Sequence, residues 1–200
     1  REAITDDTIL VSVMFANNET GVIMPIEEIA GIVKEKGVIF HTDAIQTVGK
    51  LKIDVKEMNV DLLSISSHKV YGPKGVGALY VKKGTRINSI LHGGHQEKGL
   101  RPGTENPIGI AGFGKSAEIM TTEMEKDAGR LSELRDRLFE GIKERIDYVR
   151  LNGHPIQRLP NTLNISFDFV EGESIVLGLD DYGIATATGS ACTSATLEPS

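Results

Sequence analysis

The sequence predicts an α/β protein with a mostly parallel sheet, followed by a smaller α+β domain. Short apolar segments of strand length alternate with segments of helical periodicity, which is typical of parallel strands joined by crossover helices. Polar residues that suit catalysis or ligand binding follow two of the apolar segments. Ligands of parallel sheets bind at the carboxyl ends of the strands, where these residues are expected to lie. We expect a first domain over residues 1–128 and a second over residues 129–200.

Six segments predict the elements of the first domain in order. Residues 9–15 are an apolar run typical of a buried strand. Pro25 opens a helix, because apolar residues follow it with the i, i+3, i+4, i+7 spacing of one helix face. The remaining predicted elements are strands at residues 38–41, 62–66 and 77–81, and a helical turn at residues 55–58.

A long helical pattern and a change of periodicity mark the second domain. Apolar residues keep helical spacing from residue 108 to residue 146, while charged residues fill the other faces. Gly129 predicts a break or kink in this helix, and we place the domain boundary there. The later pattern predicts a half-buried strand at 163–169, a helix at 171–179 and a strand at 184–187.

Composition and charge exclude several classes of protein. Hydrophobic residues make up 40% of the chain and charged residues 25%, which is ordinary for a globular protein. The net charge of −6 and the pI near 5.4 argue against nucleic acid as the main partner. No apolar run approaches the roughly 18 residues of a membrane span, and no signal peptide is visible. We therefore expect a cytoplasmic protein without a membrane partner.

Lys69, after the strand at 62–66, is the first candidate for chemistry. Ser66 and His68 precede it, and a turn rich in glycine and proline follows. Burying an ammonium group is costly, which favours the neutral amine, and a neutral amine is a nucleophile toward an aldehyde cofactor. A surface lysine after an edge strand is the alternative, and both interpretations stay open on this segment alone.

Asp43, after the strand at 38–41, is the second candidate. A pyridoxal phosphate (PLP) ring needs a carboxylate facing its pyridine nitrogen, so that the nitrogen stays protonated and the ring acts as an electron sink. Asp43 suits this role, and Gln46 suits that of a donor near the phenolic oxygen of the ring. The alternative is that Asp43 caps the following segment, but Lys69 at the same end of the implied sheet favours the cofactor.

Six motifs resemble those of PLP-dependent cysteine desulfurases of the NifS/IscS class, and they follow one another in the same order as in that family. They are Asn17-Asn18-Glu19-Thr20-Gly21, His41-Thr42-Asp43-Ala44-Ile45-Gln46, residues 66–75 around Lys69, His92-Gly93-Gly94-His95-Gln96-Glu97, Arg101-Pro102-Gly103-Thr104, and residues 187–194 around Cys192. The resemblance implies the large domain of PLP fold type I for the first domain. It also implies that the chain is an internal portion of the full enzyme.

The resemblance further implies a role for each motif residue. Lys69 carries the cofactor and moves protons, with His68 beside it, and Ser66 contacts the phosphate. Thr104 is offered to the cofactor of a neighbouring subunit, so a homodimer is implied. The implied PLP contacts are Asn18, Asp43, Gln46, Ser66, His68, Lys69 and Thr104. A core histidine at 68, a plain turn at Asn18 and a loop hydroxyl at Thr104 remain alternatives.

Cys192 is the only cysteine, so the chain forms no intrachain disulfide and fits a reducing compartment. Small and hydroxyl-bearing neighbours favour an accessible loop, and a nucleophilic thiolate needs access. An inert buried cysteine is the alternative. We predict no metal site, because no clustered Cys/His set exists and the loop of His92 and His95 lacks companion ligands.

The implied activity is conversion of L-cysteine to L-alanine, with the sulfur left on Cys192 as a persulfide for an iron–sulfur scaffold protein. Cys192 as an iron–sulfur ligand during transfer stays open. Alternatives are a selenocysteine lyase, a class V aminotransferase, or an incomplete fragment that only carries sulfur or ligates a cluster. Ser67 departs from the family, which often has Gly or Ala there, and we expect little effect because serine is small.

Overall fold

The structure, a computed structural model, describes residues 1–189 and divides the chain into two compact units. The first unit consists of Arg1–Phe15 and Met24–Glu125, and the second, among the described residues, of Ala16–Ile23 and residues 126–189. The second unit thus takes in a segment that the sequence prediction assigned to the first domain. The predicted domain boundary between residues 128 and 129 stays a prediction.

A four-stranded sheet organises the first unit, in the order β1-β2-β3-β4. The first three strands are parallel to their neighbours, and β4 pairs with β3 in the antiparallel direction. The predicted mostly parallel sheet is therefore confirmed. The strands are β1 (Leu10–Met14), β2 (Ile39–Asp43), β3 (Leu62–Ser66) and β4 (Gly77–Val81).

Helix α1 (Ile26–Glu35) covers one face of this sheet, and Pro25 precedes its first residue as predicted. Ile26, Ala30 and Val33 form its buried stripe, and they pack with Phe40, which is fully buried on β2. Because side chains alternate along a strand, the residues before and after Phe40 point to the opposite face. That opposite face carries the polar residues near the carboxyl ends of the strands.

A short 3-10 helix, Ser67–Val70, follows β3 directly and ends at Tyr71, whose φ of 62° lies in the left-handed region. Ser67 is fully buried, and its hydroxyl has no hydrogen-bond partner in the part of the chain that the structure describes. Gly72 is needed beside it, because a Cβ at that position would lie 2.2 Å from Ser67 Oγ. The chain therefore packs tightly around a polar atom that gains nothing from its burial.

Replacing Ser67 by alanine is expected to raise the free energy of unfolding by about 1 kcal/mol, because the change removes a buried hydroxyl that has no partner. Ser116→Ala is the matched control. Ser116 also borders Gly72, through its Cβ, and its hydroxyl donates to the carbonyl oxygen of Val70, so loss of that hydroxyl should lower stability by about 1 kcal/mol. Urea unfolding of both variants measures this; equal destabilisation would contradict the unsatisfied state of Ser67.

Helix α2 (Pro107–Lys143) is continuous and extends from the first unit into the second. The predicted break at Gly129 is wrong, since a glycine in a helix lowers stability by about 1 kcal/mol relative to alanine without interrupting its hydrogen bonds. None of the helices in residues 1–189 is long and apolar enough to cross a bilayer.

The second unit also contains a two-stranded antiparallel sheet of β5 (Val149–Leu151) and β6 (Ile165–Phe167), followed by α3 (Gly172–Asp180). The sequence did not predict β5, and β6 is shorter than the predicted strand. The strand predicted at 184–187 is wrong, because no described segment pairs with these residues and strand backbone groups need partners.

Candidate functional site

The carboxyl ends of β2 and β3 form the edge at which the predicted chemistry gathers. Asp43 is the last residue of β2, and it pairs in register with Met14 of β1 and Ser64 of β3. β3 ends two residues later, and Lys69 lies in the 3-10 helix that follows. The structure thus brings Asp43 to the sheet edge from which the segment with Ser66, His68 and Lys69 continues.

The carboxylate of Asp43 makes one local contact. Its Oδ1 accepts a hydrogen bond from the backbone N–H of Ile45 at 2.9 Å, which is the kind of turn contact that the capping interpretation predicts. Among residues 1–189, Oδ2 of Asp43 has no hydrogen-bond partner. The local contact therefore leaves one carboxylate oxygen for a further partner.

Ser66 and His68 form a pair on the strand side of Lys69. Ser66 Oγ lies 2.8 Å from Nδ1 of His68, and the His68 side chain is exposed. The alternative that His68 is a structural core histidine is therefore wrong. Lys69 itself is half-buried between Ser67 and Val70, two buried residues of the same short helix.

Lys50 brings a second ammonium group close to Lys69. Burial lowers the pKa of Lys50, and the charge of Lys69 lowers it further. Nζ of Lys50 donates to the backbone oxygen of Gln46 at 2.9 Å, which holds the amine in the turn after β2. Sequence reasoning missed Lys50, although its position four residues after Gln46 was a usable signal. Two neighbouring cations at one sheet edge favour the binding of an anion there.

His41 lies at the centre of a side-chain ladder across three strands, which sequence reasoning also missed. Its Nδ1 is 2.7 Å from Ser12 Oγ on β1, and its Nε2 is 2.9 Å from Ser64 Oγ on β3. Burial lowers the pKa of His41, and the nearby Asp43 opposes this shift. The period of two along a strand could have indicated that His41 and Asp43 share a face.

Asn18 belongs to the second unit, where it lies exposed on a loop. Its neighbour Asn17 shapes that loop, since Oδ1 of Asn17 accepts the backbone N–H groups of Glu19 at 3.0 Å and Thr20 at 2.8 Å. Arg158 is buried in the same unit, and its Nη2 lies 3.5 Å from the carbonyl oxygen of Thr20. The loop that carries Asn18 is thus a turn whose shape is held by hydrogen bonds.

Thr104 is exposed on a separate loop of the first unit. This loop borders a cavity of about 390 Å³, lined by Leu91, His92, Gly93, Gly94, Gln96, Pro102, Gly103 and Thr104. Within residues 1–189, no group of three or more His, Cys, Asp or Glu side chains is placed to hold a metal ion. Cys192 lies outside the described residues.

Comparison with known proteins gives a consistent set of similarities. The family model for aminotransferase class-V matches residues 1–199. A cysteine desulfurase IscS from Methanosarcina thermophila is 56% identical over 200 residues, which are 100% of this chain and 49% of the relative. The chain therefore spans about half the length of the curated relatives it matches.

Solved structures agree in fold. A NifS-like protein superposes with a TM-score of 0.88 at 40% identity, over 94% of this chain and 51% of the other. The structure of SspA in complex with cysteine gives a TM-score of 0.76 at 38% identity, over 96% of this chain and 52% of the other. These similarities extend over both units of the described chain.

Proposed function

The chain belongs to the aminotransferase class-V family, and from this premise we propose that it carries catalytic and cofactor-binding residues of a PLP-dependent cysteine desulfurase. The observation that carries the proposal is the shared sheet edge, where Asp43 ends β2 and Lys69 follows β3. Relatives named cysteine desulfurase match the whole chain at 56% identity. The similar SspA structure contains cysteine, which supports L-cysteine as the substrate.

The residues at this edge fit PLP in charge and in type. The amine of Lys69 would attach the aldehyde of the cofactor, and Asp43 would face its protonated ring nitrogen. The hydroxyl of Ser66 would contact the phosphate, whose charge suits an edge where Lys50 and Lys69 lie close together. Gln46 and His68 complete the proposed contacts within this unit, and the role of Asn18 stays a prediction from the resemblance. When bound, PLP supplies an electron sink for substrate carbanions.

The residues of this chain would then act on the substrate directly. Lys69 would transfer protons at the substrate carbons, with His68 beside it. The Cys192 thiolate supplies an electron pair to the substrate sulfur, so that an S–S bond forms as the C–S bond breaks. The carbon skeleton gains protons and leaves as L-alanine, and the sulfur stays on Cys192 as a persulfide.

The proposal includes partners and a location. We propose a homodimer in which Thr104 serves the cofactor of the neighbouring subunit. The exposure of Thr104, and of the apolar side chains of Ile90 and Ile108 on either side of its loop in sequence, supports this assembly. An iron–sulfur scaffold protein is the proposed sulfur acceptor, and Cys192 is proposed to ligate the cluster during transfer. The proposed location of the protein is the cytoplasm.

Product analysis tests the function. The full chain, loaded with PLP and given L-cysteine and a reductant, is expected to yield alanine and sulfide in equal amounts. A keto acid in place of alanine would indicate an aminotransferase, and turnover restricted to selenocysteine would indicate a lyase for that substrate. Failure to bind PLP, measured by its absorbance after desalting, would favour the incomplete fragment and contradict the proposed enzyme.

A further inference from the structure

Val70 follows Lys69 directly in the 3-10 helix, and it is buried, whereas Tyr71 beyond it is almost fully exposed. The side chain of Val70 packs against Gly49, in the turn after β2. A Cβ built on Gly49 would lie 2.8 Å from Cγ1 of Val70, which is closer than a Cβ approaches another atom in a folded protein. The residue next to Lys69 therefore rests on the turn that follows Asp43.

The turn that contains Gly49 is held firmly to the end of β2. Backbone N–H groups within the turn donate to the carbonyl oxygens of Ala44 and Thr47, at 2.9 to 3.0 Å. Gly49 has a φ of 74°, which a residue with a side chain adopts only with strain. Asp43, Gln46 and Gly49 therefore keep fixed positions relative to one another.

Helix α2 holds Val70 from another side. The hydroxyl of Ser116 donates a hydrogen bond to the carbonyl oxygen of Val70. Met120, one turn further along α2, packs on the same glycine, since its Sδ would lie 2.8 Å from a Cβ built on Gly49. Val70 is thus fixed through its backbone by α2 and through its side chain by the turn after β2.

Ser67, on the other side of Lys69, is fixed through both of its backbone groups. Its N–H donates to the carbonyl oxygen of Val76, and its carbonyl oxygen accepts from the N–H of Gly72, both at 3.0 Å. Lys69 therefore lies between two anchored residues of the same short helix. Of these two anchors, Val70 provides a contact with the turn after β2.

We propose that Val70 is a positioning residue, which sets the separation between Lys69 and the turn that carries Asp43 and Gln46. The inference rests on the proposed function, in which Lys69 holds the aldehyde group of PLP and Asp43 faces the ring nitrogen. These two groups lie on opposite sides of one rigid aromatic ring, so the ring cannot adapt to a changed separation by bending. Misplacement of a reacting group by about 1 Å can cost about 10²-fold in rate.

The first test measures the PLP affinity of the full chain by fluorescence titration, and the absorbance of the bound cofactor as a function of pH. Val70→Ala removes two methyl groups from the contact with Gly49, so Lys69 loses its support. PLP binding is expected to weaken by about tenfold, and the pH midpoint of the absorbance change should shift. Val70→Thr keeps the shape of the side chain but buries a hydroxyl. It should lower the urea midpoint of unfolding, yet retain the absorbance and keep PLP affinity within about twofold.

Val33→Ala is the matched control, because Val33 is also buried and loses the same two methyl groups. Val33 lies on α1, and its carbonyl oxygen accepts the N–H of Val38, just before β2 and at the opposite end of that strand from Asp43. The control should lower the urea midpoint much as Val70→Ala does, and it should leave PLP affinity and absorbance unchanged.

Amide hydrogen exchange of the PLP-free chain gives a readout without cofactor. Mass spectrometry follows the peptide that covers residues 67–72. Val70→Ala and Ser116→Ala should each speed exchange in this peptide more than in the sheet, because each removes one anchor of the 3-10 helix. Val33→Ala should produce no such local increase.

Two sets of outcomes separate the inference from the function on which it rests. Equal losses of PLP affinity in Val70→Ala and Val33→Ala, or unchanged exchange of residues 67–72 in Val70→Ala, would overturn the role of Val70 alone. Absence of PLP binding in the unchanged protein, or an Asp43→Asn variant indistinguishable from it, would overturn the proposed function and this inference together. If Val70→Ala fails to fold, Ser116→Ala replaces it. Its PLP binding should be about threefold weaker, from the loss of one anchor, and unchanged binding would overturn the inference.

Discussion

Replacing Lys69 by alanine is expected to abolish covalent attachment of PLP and to lower kcat by about 10³-fold or more, since proton transfer alone contributes 10²–10⁴. The physical reason is that the proposed attachment and proton transfer use the same amine. Borohydride reduction followed by peptide mass spectrometry locates the attachment, and alanine production from L-cysteine gives the rate. The unchanged protein should carry the adduct on Lys69.

Two neighbouring amines sharpen this test. Lys74 is exposed in the turn after the 3-10 helix, so Lys74→Ala should keep attachment and activity within about twofold, as surface substitutions usually have small effects. Lys50 is the amine most able to substitute for Lys69, because it lies near enough for the charge of Lys69 to lower its pKa. Continued turnover of cysteine by Lys69→Ala, with a reducible adduct on Lys50 or another lysine, would refute the assignment of Lys69.

The sheet was predictable because its signals are local. The predicted bounds of β3 and β4 match the structure, since each strand is a short apolar run closed by turn residues. β5 has three residues, Val149–Leu151, which is too short for an alternating pattern to stand out. The strand predicted at 184–187 had local propensity but finds no partner among residues 1–189, and pairing partners are not encoded in a local pattern.

The residues of the candidate site were likewise predictable only where their signal is local. Asp43 and Lys69 follow apolar runs, so their place at the strand ends was readable from the sequence. The ladder around His41 joins side chains 29 and 23 residues apart, and it depends on the register of three strands. A register is set by tertiary packing, so neither contact was derivable without it. Ser67 shows the same limit, because its full burial follows from the close approach of Gly72.

Replacing Cys192 by serine is expected to leave PLP binding unchanged while removing persulfide formation. A serine hydroxyl is a far weaker nucleophile toward sulfur than a thiolate, and the proposed cofactor contacts lie on other residues. Because Cys192 is the only cysteine, persulfide labelling and mass spectrometry of the intact chain report on it alone. Alanine formation from L-cysteine should fall to the level of PLP free in solution.

The neighbouring Ser194 provides the matched control, since Ser194→Ala changes a hydroxyl in the same motif without touching the thiol. This variant should retain PLP affinity and persulfide labelling, which separates the chemistry of the thiol from a general effect of altering the segment.

Alkylation of Cys192 in the native resting protein adds a test of access, because a sulfur acceptor must meet both the substrate and the next carrier. Rapid desulfuration by Cys192→Ser, or a thiol that resists alkylation until the chain is unfolded, would count against Cys192 as the sulfur acceptor. Of the alternatives, an aminotransferase predicts normal turnover in Cys192→Ser, because its chemistry makes no use of the thiol.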